Sequence, residues 1–207
     1  MFTIGLTGQS GSGKGEISRI FIEQGKAVCI DTDITARQVV EKGKPCLSEL
    51  CGYFGSVILD ENGNLDRRKL ASIAFSDKEK HNALNRITHF HIMKEIKDWL
   101  SDMEKGGAEI AIIDAPLLFE SGADSLCDVT VGVISPYDTR LARVMKRDGI
   151  DEKNARIRLD SQPDDDFFKE KCTYIICNNK GIDDLRENVT NLIDTICKKH
   201  LTSPKGE

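Results

Sequence analysis

Five short apolar runs punctuate the chain, at residues 1–6, 26–30, 109–113, 128–134 and 172–177. Runs this short, bounded by turn residues, predict strands. The third, Glu109-Ile110-Ala111-Ile112-Ile113, is nearly all apolar and predicts a central parallel strand buried on both faces. Between the runs, apolar positions fall at helical spacing. Residues 16–22, 34–41, 137–148 and 151–161 predict helices, and Pro163-Asp164-Asp165-Asp166 breaks the last of these and starts another. A final helix over 183–199 carries Leu185, Val189, Leu192, Ile193 and Ile196 on one stripe.

From Pro45 to Glu104 strand signals are sparse. Helices are predicted at 47–54, 67–75 and 78–103, with a turn at 59–64. Strands that alternate with helices predict an α/β fold: a doubly wound, five-stranded, mostly parallel sheet with helices on both faces and right-handed crossovers. The expected organisation is one domain over 1–207. Its core is about 1–44 and 105–200, and the helical insertion at about 45–104 would form a substrate lobe.

The chemistry concentrates where the first strand meets the first helix. Gly8-Gln9-Ser10-Gly11-Ser12-Gly13-Lys14 has the Gly-x4-Gly-Lys spacing of a phosphate-binding loop, in the strand–turn–helix context that the motif requires. A triphosphate packs negative charge into a small volume. Glycines let the backbone wrap it without side-chain clash. The freed N–H groups form a nest, and the helix N-terminus adds partial positive charge. Lys14 supplies a full charge for the β- and γ-phosphates. The motif asks for Ser or Thr next, with a hydroxyl for Mg²⁺. Here that residue is Gly15. Water or a nearby side chain, such as Glu16 or Ser18, replaces the hydroxyl, or metal binding is weaker.

Acidic residues stand at two predicted strand ends, the edge where open α/β sheets bind ligands. Asp31 and Asp33 follow the second strand, although Asp31 also suits a helix N-cap. Asp114 follows the third, where phosphate-loop enzymes carry the acidic residue that orients magnesium through water. The alternative is a strand-ending Asp before a Pro turn. Arg140, Arg143 and Arg147 share one face of a predicted helix. Beside a phosphate loop, that face predicts a clamp on a closing lid over about 140–170; without one it would read as solvated. His89 and His91 are two apart on the long helix and face different ways, so they do not predict a metal pair.

Composition narrows the class. Apolar residues make up 39% and charged residues 30%, which predicts a globular chain. A net charge of −5 argues against a nucleic-acid surface driven by bulk charge. No apolar run reaches membrane-spanning length, and the chain opens directly on a core strand. Both predict a cytoplasmic protein with no signal peptide and no membrane partner. The seven cysteines form no C-x-x-C pair, so reduced and mostly buried thiols are expected. The polar tail at 201–207 is expected to fray.

Taken together, the chain from Phe2 to about Ile196 resembles the dephospho-coenzyme A kinases, in the nucleoside-monophosphate-kinase-like branch of phosphate-loop proteins. The resemblance rests on Gly5-Leu6-Thr7-Gly8 with Gly11-Ser12-Gly13-Lys14, and on Asp31-Thr32-Asp33-Ile34 with Ala36-Arg37-Gln38-Val39-Val40. It continues through Ile87-Thr88-His89, Asp114-Ala115-Pro116-Leu117-Leu118-Phe119-Glu120, and Arg140-Leu141 with Arg147-Asp148. Arg156 with Ser161-Gln162, and Asn178-Asn179 before Gly181, complete it.

The resemblance implies ATP- and Mg²⁺-dependent phosphorylation of the ribose 3′-hydroxyl of dephospho-coenzyme A, by a monomer or weak homo-oligomer. It implies Asp33 as general base, Lys14 on the transferring group, and Arg140 from the lid. Gly11, Ser12, Gly13, Lys14, Gly15, Glu16, Asn178 and Gly181 would line the nucleotide site. Arg37, His89 and Leu117 would join Asp33 around the acceptor, and Asp114 would hold the metal through water. The departures are Gly15, the pair Gln9-Ser10, and Phe90 where the family has Pro.

The residues alone leave other readings open. Another small-molecule kinase would share the sheet and the loop. A GTP switch reads guanine with Asn-Lys-x-Asp, and Asn179-Lys180-Gly181-Ile182-Asp183 has one residue too many. Binding without turnover has only Gly15 in its favour.

Overall fold

In the computed structural model, which describes residues 1–25 and 27–201, the five apolar runs form one sheet. Chain order begins β1 (Phe2–Gly8), α1 (Lys14–Gly25), β2 (Ala27–Asp31), α2 (Thr32–Gln38), α3 (Pro45–Phe54), α4 (Arg67–Ala74) and α5 (Lys78–Lys105). It continues β3 (Ile110–Asp114), β4 (Val129–Ile134), α6 (Tyr137–Asp148), α7 (Glu152–Asp160), α8 (Asp165–Lys171), β5 (Tyr174–Cys177) and α9 (Ile182–Ile196). Lys26, expected to start β2, and the tail at 202–207 lie outside the described residues.

The sheet order is β2-β3-β1-β4-β5. β1 runs parallel to both β3 and β4, and β4 parallel to β5. Strand alternation decides what each face meets. Ile4 and Leu6 of β1, with Val129, Val131 and Val133 of β4, pack against Ile17, Ile20 and Phe21 of α1 and Leu185, Val189 and Ile193 of α9. On the opposite face Gly5 lies against Leu118 and Cys127, and Gly132 against Cys172 and Ile175. A methyl at either glycine would meet a side-chain atom at 2.8 Å, so the missing Cβ is what lets these covers approach. The Phe119 and Phe167 rings meet edge to face at 5.8 Å, joining the segment after β3 to α8.

The chain divides into two compact units, Met1–Ile30 with Met103–Glu207, and Asp31–Asp102. The second has its own core: Val39, Val40, Leu50, Phe54, Ile58, Leu70, Ala83 and Ile87. Local signals set its helices. Asp66 caps α4 through the Arg68 and Lys69 amides, and Pro45 opens α3. The turn at 59–64 is closed by Asp60, which accepts from the Asn62 and Asn64 amides, and by a bridge from Leu59 to Leu65.

One boundary differs from the sequence expectation in a way that matters. The helix expected at 34–41 runs over Thr32–Gln38, because Asp31 caps it by accepting from the Asp33 and Ile34 amides. Asp33 therefore sits in the first helical turn and not in a loop. The last helix also ends early: α9 stops at Ile196, and Cys197–Leu201 continues as a π-helical turn.

The cysteines described are all free. Burial pushes the Cys127 thiol up to about 12, and those of Cys46 and Cys172 to about 11, with nearby carboxylates adding to the rise at Cys127 and Cys46. At pH 8 these three are protonated and poor nucleophiles. Iodoacetamide at that pH should modify exposed Cys177 first and leave Cys46, Cys127 and Cys172 unlabelled until the chain is unfolded; peptide mass spectrometry reads the order.

Candidate active site

The phosphate-binding loop joins β1 to α1. Gly8, Gly11 and Gly13 have φ of +152°, +79° and +97°, backbone that side chains with a Cβ rarely adopt. At Gly11 a Cβ would also stand 2.7 Å from the Arg140 carbonyl oxygen, so α6 fits against the loop only because residue 11 has no side chain. The turn starts α1 through Glu16 and Ile17 amides that donate to the Gly13 carbonyl.

The loop is braced from behind. Arg143 Nη1 donates to the Gly11 carbonyl at 3.0 Å and reaches the Ser12 carbonyl at 3.4 Å. Asn178 Nδ2 donates to the Ser12 carbonyl at 2.7 Å, and Ser135 Oγ donates to the Asn178 carbonyl at 2.7 Å. Gln162 holds Ser10 twice, accepting from its amide at 2.9 Å and donating to its hydroxyl at 3.1 Å. Gln9 Nε2 donates to the Pro163 carbonyl at 2.8 Å. The carbonyls of residues 11 and 12 are thus occupied on one side of the loop. The Ser10 and Ser12 amides are also taken, by Gln162 and the Gln9 carbonyl. The Gly13 amide, which shares a peptide unit with the Ser12 carbonyl, is turned the other way, toward the anion side.

Lys14 Nζ pairs with Asp114 Oδ1, although 100 residues separate them. Strand register explains the meeting: Leu6 of β1 pairs with Asp114 of β3, and the loop begins two residues later at Gly8. Asp114 is buried, and its Oδ2 accepts from Ser18 Oγ at 2.8 Å. Thr7 Oγ1 donates to the Pro116 carbonyl at 3.3 Å and ties the neighbouring strand ends together.

The three arginines of α6 do not act as one cluster. Arg140 is 6% exposed; its Nε donates to the Ser135 carbonyl, its guanidinium lies 5.5 Å from the centre of the Tyr137 ring, and its Nη1 is buried with no hydrogen-bond partner. Burial lowers its pKa, opposed by the nearby charge of Asp165. Arg143 is spent on the loop carbonyls. Arg147 points to Asp148, which it grips through Nε at 2.7 Å and Nη2 at 2.9 Å, and Asp148 also accepts from Arg158.

The remaining expected site residues fall in different surroundings. Gly15 is exposed, with open space where a Cβ would point. Glu16 pairs with Arg19 on α1. Gly181 precedes α9 as its N-cap residue. Leu117 lines a cavity of about 360 Å³ together with Gly8, Gln9, Glu120, Arg158 and Gln162. In the second unit Asp33 and Arg37 are exposed, one helical turn apart on α2. Arg37 lines a hollow of about 390 Å³ with Glu41, Lys42 and Arg67. His89 is half-buried in α5, and His91 pairs with Glu49 at 2.7 Å.

Sequence reasoning gave no supporting role to Ser135, Gln162 or the Asn178 side chain. None belongs to the loop in sequence, and only the fold brings them behind it. Asn178→Ala should leave the buried Ser12 carbonyl with only the long bond from Arg143, at a cost of about 1 kcal/mol or more. ATP affinity measured by calorimetry should fall, and the melting temperature should drop with it.

The family described as dephospho-CoA kinase matches residues 2–184. A dephospho-CoA kinase of Corynebacterium glutamicum is 39% identical over 196 residues, covering 95% of this chain and 100% of that protein. One from Listeria innocua is 39% identical over 196 residues, covering 93% and 96%. The solved structure of dephospho-CoA kinase from Campylobacter jejuni superposes with a TM-score of 0.69 at 27% identity, covering 95% of this chain and 97% of that one. With the braced loop and its Lys–Asp pair in place, the chain belongs to the dephospho-CoA kinase family, the kinases of the final ATP-dependent step of coenzyme A biosynthesis.

Proposed function

We propose that this chain transfers the γ-phosphoryl group of ATP to the ribose 3′-hydroxyl of dephospho-coenzyme A, giving coenzyme A and ADP. The observation that carries the reading is the braced phosphate loop, with Lys14 and Asp114 facing one another at its mouth, in a chain that matches the family nearly end to end.

In the transfer, a bond forms between the acceptor oxygen and the γ-phosphorus while the bond from that phosphorus to the bridging oxygen of ADP breaks. The hydroxyl proton goes to Asp33. What supports this assignment is position: Asp33 is exposed two residues beyond the end of β2, whereas neighbouring Asp31 is occupied as a helix cap. Lys14 steadies the transferring group. Arg140 neutralises donor charge from the α6 side; a buried guanidinium nitrogen without a partner is costly and is suited to an arriving anion. Gly11, Ser12, Gly13, Gly15 and Glu16 line the phosphate seat, whose donors are the backbone amides not already bonded within the loop, and the segment from Asn178 to Gly181 is assigned to the base.

Asp31–Asp102 serves as the acceptor lobe and about 140–170 as the lid. Arg37, His89 and Leu117 line the acceptor. The basic hollow of Arg37, Lys42 and Arg67 suits the acceptor's diphosphate.

A magnesium ion, when bound, spreads the charge of the β- and γ-phosphates. Asp114 fits a place behind the ion's water shell: a buried carboxylate fixed by a hydroxyl offers an acceptor for the waters that magnesium keeps alongside the phosphates. No helix among the described residues is long and apolar enough to cross a membrane. The free thiols support a reducing, cytoplasmic setting.

Purified chain with ATP should consume dephospho-coenzyme A at a kcat/KM at least ~10²-fold above adenosine, AMP or pantetheine phosphate, a margin within reach of a site built on buried polar contacts. Equal use of another acceptor would overturn the assignment. Asp33→Asn should lower kcat by ~10²–10⁴ with the fold unchanged, the range of a general base. Unaltered turnover in that variant would remove Asp33 from the proton path.

A further inference from the structure

Residue 15 lacks the hydroxyl that follows the lysine in this kind of loop, yet the same helix carries one three residues on. An offset of three keeps Ser18 on the face of α1 from which residue 15 projects. Ser18 Oγ is not a solvated surface hydroxyl. It is buried, donates to Asp114 Oδ2 at 2.8 Å, and lies 3.4 Å from the Lys14 carbonyl. The two oxygens of Asp114 therefore have unlike partners. Oδ1 faces the Lys14 ammonium, for which phosphates compete. Oδ2 faces a hydroxyl that phosphates do not draw away.

We propose that Ser18 is a positioning residue that compensates for Gly15. It fixes the Asp114 carboxylate from one helical turn further along, so that its orientation toward the cation survives when Lys14 turns to the phosphates. The inference rests on the reading that magnesium accompanies ATP, and it concerns how this chain's own residues present an oxygen donor. Groups that support a metal site from its outer shell commonly cost about 10–100-fold in metal affinity when they are removed.

The structure also makes the substitution testable in reverse. Nothing lies within 4 Å of where a Cβ at Gly15 would stand, so Gly15→Ser places the usual hydroxyl without displacing a neighbour.

The experiment is calorimetric titration of ATP with excess magnesium and with chelator, on wild type, Ser18→Ala, Gly15→Ser and the double variant. The quantity read is the factor by which magnesium tightens ATP binding, not turnover. That factor should fall by about tenfold or more in Ser18→Ala, while metal-free ATP affinity stays at the wild-type value. Adding Gly15→Ser to Ser18→Ala should bring it back to within about threefold of wild type, as expected if the two hydroxyls serve one ligand set. Ser18→Cys, which keeps the volume and gives up the strong oxygen donor, should lose the factor as Ser18→Ala does. This keeps the test open should the alanine variant fold poorly.

A magnesium effect that survives both Ser18 variants overturns the inference and leaves the metal reading standing. So does a loss of the same size with and without magnesium, which would mark Ser18 as merely structural. A loss that Gly15→Ser cannot restore also overturns it. A wild-type chain whose ATP affinity ignores magnesium overturns the metal reading, and this inference with it.

Discussion

A peptide unit that turns its N–H toward an anion turns its carbonyl the other way. A loop built to hold phosphates on its amides must therefore do something with a row of carbonyls. In this chain the carbonyls of Gly11 and Ser12 are received by Arg143 and Asn178, and Ser135 in turn holds Asn178. Ser12 is fully buried, so water cannot take over the duty. The shape of the anion site thus depends on acceptors satisfied on its far side. An arginine there does double service: it fills hydrogen bonds and sets a positive charge close behind the phosphate seat.

Strand register supplies the rest of the geometry. Parallel pairing of β1 with β3 puts Leu6 beside Asp114, so that the ammonium of the loop and the carboxylate of the neighbouring strand end meet without any local sequence relation. Pairing of β1 with β4 brings Gly8 beside Val133, just short of Ser135 and α6. The braces arise from the ends of β4 and β5, from α6 and from the segment after α7, which is why the fold class, and not only the motif, is needed for the chemistry.

Much of this was legible in the residues. The central strands β1, β3 and β4 appear as apolar runs, because a strand covered on both faces leaves no polar side to alternate. The helix of α6 was found with its bounds intact, since Pro136 before it and Gly149 after it, with φ of +64°, punctuate both ends. The start of α2 was missed by two residues because Asp31 has two uses in sequence, strand-end carboxylate and helix cap, and the fold spends it on the second. Lys14 and Asp114 could be named as a pair of candidates from motif and strand-end logic. The supports could not. Ser135 carries no signature of its own, and Gln162 and Asn178 stand in the resemblance without a bracing role; all three act on the loop only through long-range packing. The apparent arginine face of α6 separates for the same reason: helical spacing fixes direction at the backbone, while Asp148 and the Ser135 carbonyl decide where each guanidinium ends.

The braces lie far along the chain from what they brace. Asn178 and Ser12 are 166 positions apart, Arg143 and Gly11 are 132 apart, and Gln162 and Ser10 are 152 apart. The segment made first during synthesis is therefore among the last to acquire its working shape, because closing such long loops precedes any gain from the contacts they bring. A ribosome-bound fragment that ends before β5 carries every residue of the glycine-rich motif and still lacks Asn178, the nearer of the two donors to the Ser12 carbonyl. Competence to grip a nucleotide arrives with the C-terminal third of the chain.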